Sequence, residues 1–303
     1  MTQSQAVKSP NASGLKMIDF QQLFSAEQLE QIKQVETFRD SQYVVLDIPA
    51  TLDYFTRRFV CQLPDFSEIN QQTVIADVGT GYGWMAMALA FTTDAKIIAV
   101  EPDGARLMAG KKIAEILGIA EHIEWQVAPL GKLPMADRSI DIVYCIEVLE
   151  HIYHDPTGIP DLCRISRDLI ILTTPNLWFP IIAHDTELPF CHWLPIPLRE
   201  VYAKLFGRVG GTTENDNLFW SPFSLKRQMP GFKPVSNWLH YISYQKYLDA
   251  FPYYLPYGDE PEVVAGPGRW KGLYYGLVSK LGSLGRYIIP SLSYVMKRQQ
   301  NKK

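Results

Sequence analysis

The sequence predicts an α/β domain in which helices cover both faces of one parallel sheet, and three observations lead to it. From Thr73 to Asn176, short apolar runs around 74–78, 96–100, 123–127, 141–146 and 168–173 alternate with helical stretches. Such alternation calls for right-handed crossovers between parallel strands, a doubly wound arrangement. The first run carries Asp77 and passes into Gly79, Gly81 and Gly83 at alternate positions, followed by the apolar stretch Trp84 to Phe91. That order reads as strand, tight loop and helix start. The second run, Lys96 to Val100, delivers Glu101 at its end, 24 positions after Asp77. Ligands of open α/β sheets lie outside the carboxyl ends of the strands, and Asp77, Glu101, Glu147 and Thr174 are all expected at that edge.

Composition bounds the rest. The 303 residues are 47% hydrophobic, enough to bury a full core, and one domain with insertions is the economical reading. A net charge of −3, from 29 basic and 32 acidic side chains, argues against a polyanion-binding surface and hence against a nucleic-acid partner. Cys61, Cys145, Cys163 and Cys191 show no Cys-x-x-Cys spacing and suit a reducing compartment, with Cys145 inside a strand. Met1 to Ser13 is polar and lacks a signal-peptide core, and no apolar run approaches the ~20 residues of a membrane span. The cytoplasm is the expected location; peripheral contact with a membrane stays open.

In chain order, Met1 to Gly14 is rich in Ser, Gln and Asn and is expected to fray. Ser25-Ala26-Glu27-Gln28 reads as a capping box that starts a helix carrying Leu29, Ile32, Val35 and Glu36. A second helix follows Pro49 with Leu52, Phe55, Phe59 and Val60 at helical spacing. At the glycine loop, a dinucleotide fingerprint needs Gly or Ala at position 84, where Trp84 stands. The spacing therefore favours another ligand.

Asp77 to Gly83 resembles motif I of the class I S-adenosylmethionine-dependent methyltransferases. The stretch from Leu133 to His151, LPMADRSIDIVYCIEVLEH, is similar to the "LPF-x-D-x-S-F-D-x-V" and "E-V-L-E-H" region of the type 11 group of ubiquinone and menaquinone biosynthesis. The resemblance covers about residues 70 to 180. It implies a Rossmann-like methyltransferase fold: a doubly wound, mostly parallel seven-stranded sheet with an antiparallel last strand. It also implies S-adenosylmethionine as cofactor, held by Asp77, Gly79, Thr80, Gly81, Gly83, Glu101, Pro102, Ala128, Pro129 and Glu147. Glu101 would take both ribose hydroxyls; its other reading is a cap for the helix that Pro102 and Asp103 introduce. One position departs from the family. The acid that meets the adenine amino group would fall at Pro129, which offers neither a side-chain acceptor nor an N–H, so backbone groups or a neighbour such as Gln126 must serve. The implied organisation is a tail and helical cap over 1–66, a cofactor-binding core over 67–176, a substrate-cap insertion over 177–217, and over 218–303 the end of the sheet with a helical insertion and a late final strand.

Thr173-Thr174-Pro175-Asn176 resembles the "PN" turn after the fifth strand of the same relatives. The Asn/Asp-Pro-Pro-Tyr motif of nucleic-acid amino methylation is absent after the fourth strand, where Glu147-Val148-Leu149-Glu150 stands. Residues 177–216 are rich in Trp, Phe, Pro and His, suiting either an apolar acceptor pocket or a packed cap, with a helix over Pro197–Phe206 and a mobile loop over Gly210–Asn217. A helix over Leu218–Arg227 and a Pro230-Gly231-Phe232 turn precede a sixth strand expected over Lys233–Tyr241, and the final strand is expected over Ser291–Lys297. Between them Trp270, Leu273, Tyr274, Leu277, Leu281 and Leu284 recur at helical spacing beside Lys271, Lys280 and Arg286. That stripe suits an interfacial membrane helix, or packing against the domain, which is the expectation.

In methyl transfer the acceptor attacks the methyl carbon in line, so rate comes from holding the two close and aligned. A hydroxyl acceptor gains from a base of near-neutral proton affinity. The candidates are His184, beside Asp185, then His192 and His151. No cluster has metal-ligand spacing. The expected activity is methyl transfer to a small-molecule acceptor, most readily at oxygen, in a lipid-like, quinone-like or glycan-linked substrate. The alternatives are a non-catalytic scaffold that retains the cofactor and, further off, a macromolecular methyltransferase.

Overall fold

The computed structural model describes residues 7–8, 14–152, 155–182, 186–208, 219–255 and 262–299. Strands β1 (Val74–Val78), β2 (Lys96–Glu101), β3 (Ile123–Val127), β4 (Ile140–Ile146), β5 (Ser166–Pro175), β6 (Phe232–Pro234) and β7 (Ser291–Arg298) form one sheet. Their spatial order is 3-2-1-4-5-7-6. β1 to β5 run parallel, and β7 lies antiparallel between β5 and β6. This is the doubly wound α/β arrangement expected from the sequence, with its last strand reversed. The chain order changes direction between β1 and β4, which opens a crevice at the carboxyl ends of these strands.

Two apolar clusters, one containing Ile75, Ile142 and Leu169, the other Ala76, Val143 and Ile170, take alternate residues of the same strands. Neighbouring side chains leave a strand on opposite faces, so both faces are covered, as parallel sheets require. α3 (Trp84–Thr92) is buried along most of its length, and α4 (Gly104–Ile116) is capped by the Asp103 carboxylate, which accepts from the backbone of Ala105 and Arg106 at 3.0 and 3.1 Å. α5 (Gly158–Ile165) carries Arg164, which bonds the carbonyls of Leu133 and Met135 and pairs with Asp161 and Asp137. Asp161 in turn accepts from Leu133 N at 2.8 Å, so the stretch before β4 is locked in place.

At the N-terminus, α1 (Ala26–Lys33) opens with the expected capping box between Ser25 and Gln28, and Gln28 also donates to Ile116 O at 2.8 Å, tying α1 to the end of α4. α1 stops before Val35 and Glu36; Thr37 takes a left-handed conformation and its carbonyl accepts from the Tyr82 hydroxyl. α2 (Ile48–Phe55) continues into a wider turn over Thr56–Val60 whose Phe59 carbonyl accepts from the Tyr144 hydroxyl of β4 at 2.8 Å.

The C-terminal third is less regular. α6 (Ile196–Leu205) and α7 (Pro222–Gln228) fall where the sequence places helices. α8 (Tyr244–Asp249) and α9 (Arg269–Ser279) lie with Trp238, Tyr241 and Tyr247 in a third apolar cluster. Arg58 joins this cluster to the core: its guanidinium lies over the rings of Tyr253, Tyr247 and Tyr241, with centroids at 5.2, 5.6 and 6.0 Å. Buried His240 donates from Nε2 to Arg58 O at 2.6 Å and accepts the Ser293 hydroxyl of β7 at Nδ1 at 2.5 Å. Burial, and then the Arg58 charge, pushes its proton affinity down to about 3.

Three expectations are corrected, and one element is added. β6 is three residues long rather than nine, because the Ser236 hydroxyl, not a ladder carbonyl, meets Val295 N, after which Trp238 and Tyr241 close a tight turn. Within the expected frayed stretch, Val7–Lys8 pairs antiparallel with Met17–Ile18. Tyr253–Leu255 and Glu262–Val264 form a two-stranded ribbon that the sequence reading did not contain. The stripe beginning at Trp270 does not pack: Trp270, Leu273, Leu277, Leu281 and Leu284 are exposed, and Tyr275 and Val278 enter the cluster instead. The loop expected over Gly210–Asn217 lies outside the described residues.

Asn176, buried at the end of β5, holds the approach to β7: Nδ2 donates to Ile289 O and Tyr287 O at 2.8 and 3.3 Å, and Oδ1 accepts from Trp178 N at 3.0 Å. Asn176→Ala strands these partners and is expected to cost about 2 to 4 kcal/mol. Urea unfolding at constant m-value measures it, and an unshifted midpoint would show that the clamp carries no stability.

Candidate cofactor and active site

The glycine loop is pinned to the neighbouring strand before any ligand is considered. Gly79 N and Thr80 N both donate to Val100 O, at 2.8 and 3.0 Å, and Gly81 N donates to Glu101 Oε2 at 2.9 Å. Gly79 has φ +77°, and a Cβ there would lie 2.4 Å from the Val148 side chain, so β1 and the turn after β4 meet only because this residue is glycine. Gly81 has φ +59° and faces open space, with nothing within 4 Å of where its Cβ would stand. One loop position is thus closed by protein and the other is open for a ligand to lie against the main chain. Tyr82 of the loop is clasped from the N-terminal segment, by Phe38 and Tyr43 edge-on at 5.1 and 5.8 Å.

Asp77 and Glu101 are buried at adjacent strand ends. Asp77 accepts from the Thr80 hydroxyl and from the backbone of Ala86, yet burial pushes its carboxyl up to about 6, with the Glu101 charge adding in the same direction. Glu101 accepts from Gly81 N and, at 3.4 Å, from Asp103 N, with Arg106 at 3.9 Å. A carboxylate offers about four acceptor positions, so Glu101 retains capacity for two vicinal hydroxyls. Two buried carboxylates beside a bare stretch of backbone fit a cationic nucleoside with a free ribose.

The third feature is an acid pair after β4. Glu147 has φ +53°, a strained conformation for a residue with a side chain, and is held by donation from its N to Thr173 O at 3.0 Å. Its carboxyl is hydrogen-bonded to that of Glu150, which is buried and accepts from the Thr174 hydroxyl at 3.0 Å. Burial first, and the neighbouring Glu147 charge second, hold the Glu150 carboxyl well above the ordinary carboxylate range. The pair therefore keeps a proton between two acids.

The remaining expected residues fall out unevenly. Thr80 supports Asp77, and Gly83 caps α3 in the left-handed region. Pro102 is exposed beside Glu101, and buried Ala128 donates its N–H to Glu101 O at 3.2 Å, so the turn after β3 is tied to the same edge. Pro129 is exposed, while Gln126 has a buried Oε1 with no partner, an acceptor of the kind an exocyclic amine would satisfy. His192 does not face an open pocket: it is buried, donates from Nε2 to Leu177 O at 3.1 Å, and burial lowers its proton affinity. That corrects its assignment as a base. His151 is exposed on the turn after Glu150, and His184 with Asp185 lies outside the described residues. The Glu147–Glu150 pair was quoted in the sequence only as part of a motif; its proton-sharing depends on Thr174 from another strand. Among the described residues no group of three His, Cys, Asp or Glu is placed to hold a metal ion. A groove of about 830 Å³ runs between the end of α1 and α4, lined by residues such as Gln34, Thr37, Met108 and Lys112. It contains none of the acids above, so the chemistry is assigned to the strand ends.

Residues 76–167 match the family model described as "Methyltransferase domain". An O-methyltransferase of Pyrenophora dematioidea is 26% identical over 117 residues, 39% of this chain and 44% of its own length. The ubiquinone/menaquinone biosynthesis C-methyltransferase UbiE of Geotalea uraniireducens (strain Rf4) is 31% identical over 133 residues, 42% of this chain and 55% of its own. The chain thus spans about half the length of these curated relatives. Among solved structures, the [4+2]-cyclase SpnF aligns with a TM-score of 0.47 at 10% identity, covering 80% of each chain.

The raised Asp77 carboxyl has a measurable consequence. Between the ordinary value of 3.8 and about 6 the folded chain binds more protons than the unfolded one, so stability falls as pH rises through that window. Asp77→Asn removes the slope and is expected to stabilise the ligand-free protein at pH 7 by on the order of 2 to 3 kcal/mol. Urea midpoints of both proteins at about pH 3.5 and about pH 7, on either side of that window, test this; equal midpoints at the higher pH would contradict it.

Proposed function

We propose that this chain, whose residues 76–167 carry the methyltransferase domain of the class I, type 11 S-adenosylmethionine-dependent family, transfers a methyl group to a small-molecule acceptor. The acceptor atom in this reading is an oxygen of a lipid-like, quinone-like or glycan-linked molecule. The observation that carries the reading is the meeting of Glu101, Gly81 and Asp77 at one edge, a carboxylate with spare acceptor capacity, an open stretch of backbone and a second buried acid. When bound, S-adenosylmethionine supplies a methyl group activated by a sulfonium charge. Glu101 would hold the ribose, Gly81 would give close backbone approach, and Asp77 would set a negative charge toward the cationic ligand. Gln126 Oε1, buried and without a partner, would take the adenine role that Pro129 cannot fill.

Oxygen is favoured by the acid pair. A hydroxyl must lose its proton as it is methylated, and a carboxyl held above its usual range is a base matched to that task. Glu147 is the more accessible member and Glu150, behind it, is the proton reservoir. The names of the relatives include both an O- and a C-methyltransferase, so the atom methylated is decided by product analysis. A non-catalytic cofactor-binding protein is the second reading, favoured by the exposed proline at 129.

Purified protein is expected to bind S-adenosylmethionine, and Glu101→Ala to weaken binding by about tenfold or more, as loss of charge-assisted hydrogen bonds implies. Calorimetric titration measures both, and unchanged affinity in the variant would remove Glu101 from the site. Incubation of cell extract with methyl-labelled cofactor is expected to label a low-molecular-weight product. Tight cofactor binding with no labelled product in any fraction would favour the scaffold reading. Glu150→Gln is expected to lower turnover by about 10²-fold or more, within the span of general-base contributions, and to flatten the rise of rate with pH while leaving cofactor affinity unchanged. An unaltered pH profile would exclude the acid pair as the proton acceptor.

A further inference from the structure

We propose that the face formed by α9 and the segment running to Ile288 docks on the surface of an anionic lipid bilayer. Trp270, Leu273 and Leu277 are 78, 61 and 66% exposed, and Leu281, Leu284 and Ile288 continue the row at 49, 64 and 43%. Within α9 the spacing of three and four residues places Trp270, Leu273 and Leu277 on one side, with Tyr275 and Val278 buried on the other, and the bond from the Tyr274 hydroxyl to Ile288 O holds the following turn against the helix. Isolated apolar residues on a surface need no explanation, but six in a row do.

The charges around the row identify what covers it. Residues 269–288 contain Arg269, Lys271, Lys280 and Arg286 and no Asp or Glu, in a chain whose net charge is −3. Arg269 and Lys280 are exposed, with the Arg269 guanidinium 5.8 Å from the Trp270 ring centroid, while Lys271 turns to the other side and lies over the Tyr275 ring at 5.4 Å. An apolar strip edged by cations complements the boundary between anionic headgroups and acyl chains, where tryptophan is also favoured. A second copy of the chain fits poorly, because symmetric pairing of residues 269–288 would bring cations against cations with no acid in either segment. Among the described residues no helix is long and apolar enough to cross a membrane, so contact is along the surface.

The face has a fixed relation to the strand ends. The Tyr274 hydroxyl donates to Ile288 O, and the carbonyls of Tyr287 and Ile289 are held by Asn176 at the end of β5. The Trp178 ring continues the apolar surface from Tyr287, with centroids at 5.8 Å, to Phe223 at 5.2 Å. Glu147 and Glu150 are bonded to Thr173 and Thr174 of the same strand end. The face is thus joined through Asn176 to the strand end that holds the acid pair, and the acceptor class becomes a molecule resident in the membrane interface; that last step alone rests on the methyl-transfer reading.

Flotation of the full chain with vesicles tests the proposal. The chain is expected to float with mixed phosphatidylcholine–phosphatidylglycerol vesicles, more weakly with phosphatidylcholine alone, and less as salt is raised. The double variant Leu273→Asp, Leu277→Asp is expected to lower partition by about tenfold or more, with circular dichroism and cofactor binding unchanged. Arg269→Glu with Lys280→Glu, changing only exposed side chains, is expected to reduce binding to the level seen on neutral vesicles. No flotation with the anionic vesicles, or flotation of both double variants equal to that of the unaltered chain, would overturn the proposal. So would self-association abolished by the leucine substitutions in a chain that ignores vesicles, which would assign the face to a second copy. Vesicle binding by a protein that fails to bind S-adenosylmethionine would leave the docking face standing and remove the methyl-transfer reading.

Discussion

The bond from Gly81 N to Glu101 is where the architecture of the chain becomes a site. A parallel sheet delivers strand ends to one edge but does not join them; here the loop after β1 folds over β2 through three backbone donors, two to Val100 O and one to the Glu101 carboxylate. Val148 then closes on Gly79 from the turn after β4. Three strand ends are therefore placed relative to one another by contacts that exist without a ligand, which lowers the ordering cost of binding. A residue larger than glycine at 79 would push the β4 turn away, and the acid pair would leave the edge with it.

That edge is costly for the empty protein. Asp77, Glu101, Glu147 and Glu150 bring four acids to neighbouring strand ends, two of them held above their ordinary proton affinity, and Glu147 adds a strained backbone. The two apolar layers that cover the sheet offset this. The same acids favour a positively charged ligand, since a cation relieves the repulsion that burial has amplified. Stability is given up at the strand ends.

What was legible in the sequence is what short-range pattern encodes. The strands from β1 to β5, the Ser25 capping box and the position of Glu101 all follow from residues within a few places of one another. Motifs also placed Glu147, but not its partnership with Glu150, which requires Thr174 from β5 to fix the proton. His192 read as a pocket base because an isolated histidine among aromatics carries no sign of whether its ring faces solvent or a carbonyl; Leu177 O decides it. β6 ended early because one serine hydroxyl substituted for the ladder. In α9 the periodicity was read correctly and the direction was not. Both sides of that helix are apolar, and spacing reveals a stripe without revealing which side meets the core.

The link between α9 and the core bears on how an exposed face serves a distant edge. The cluster under α9 is tied down by polar bonds as well as packing: Arg58 is ringed by three tyrosines, and its carbonyl accepts from His240, which also accepts from Ser293 on β7. Burial keeps His240 neutral throughout the physiological range, so this joint does not loosen with modest acidification. The turn bearing Arg58 also carries Phe59, whose carbonyl holds Tyr144 in the middle of the sheet. A surface that seats the exposed row is thereby oriented through buried hydrogen bonds to β4 and β7. On the docking proposed above, the strand ends would keep one attitude to the surface beneath, the condition for an acceptor to arrive aligned rather than merely near.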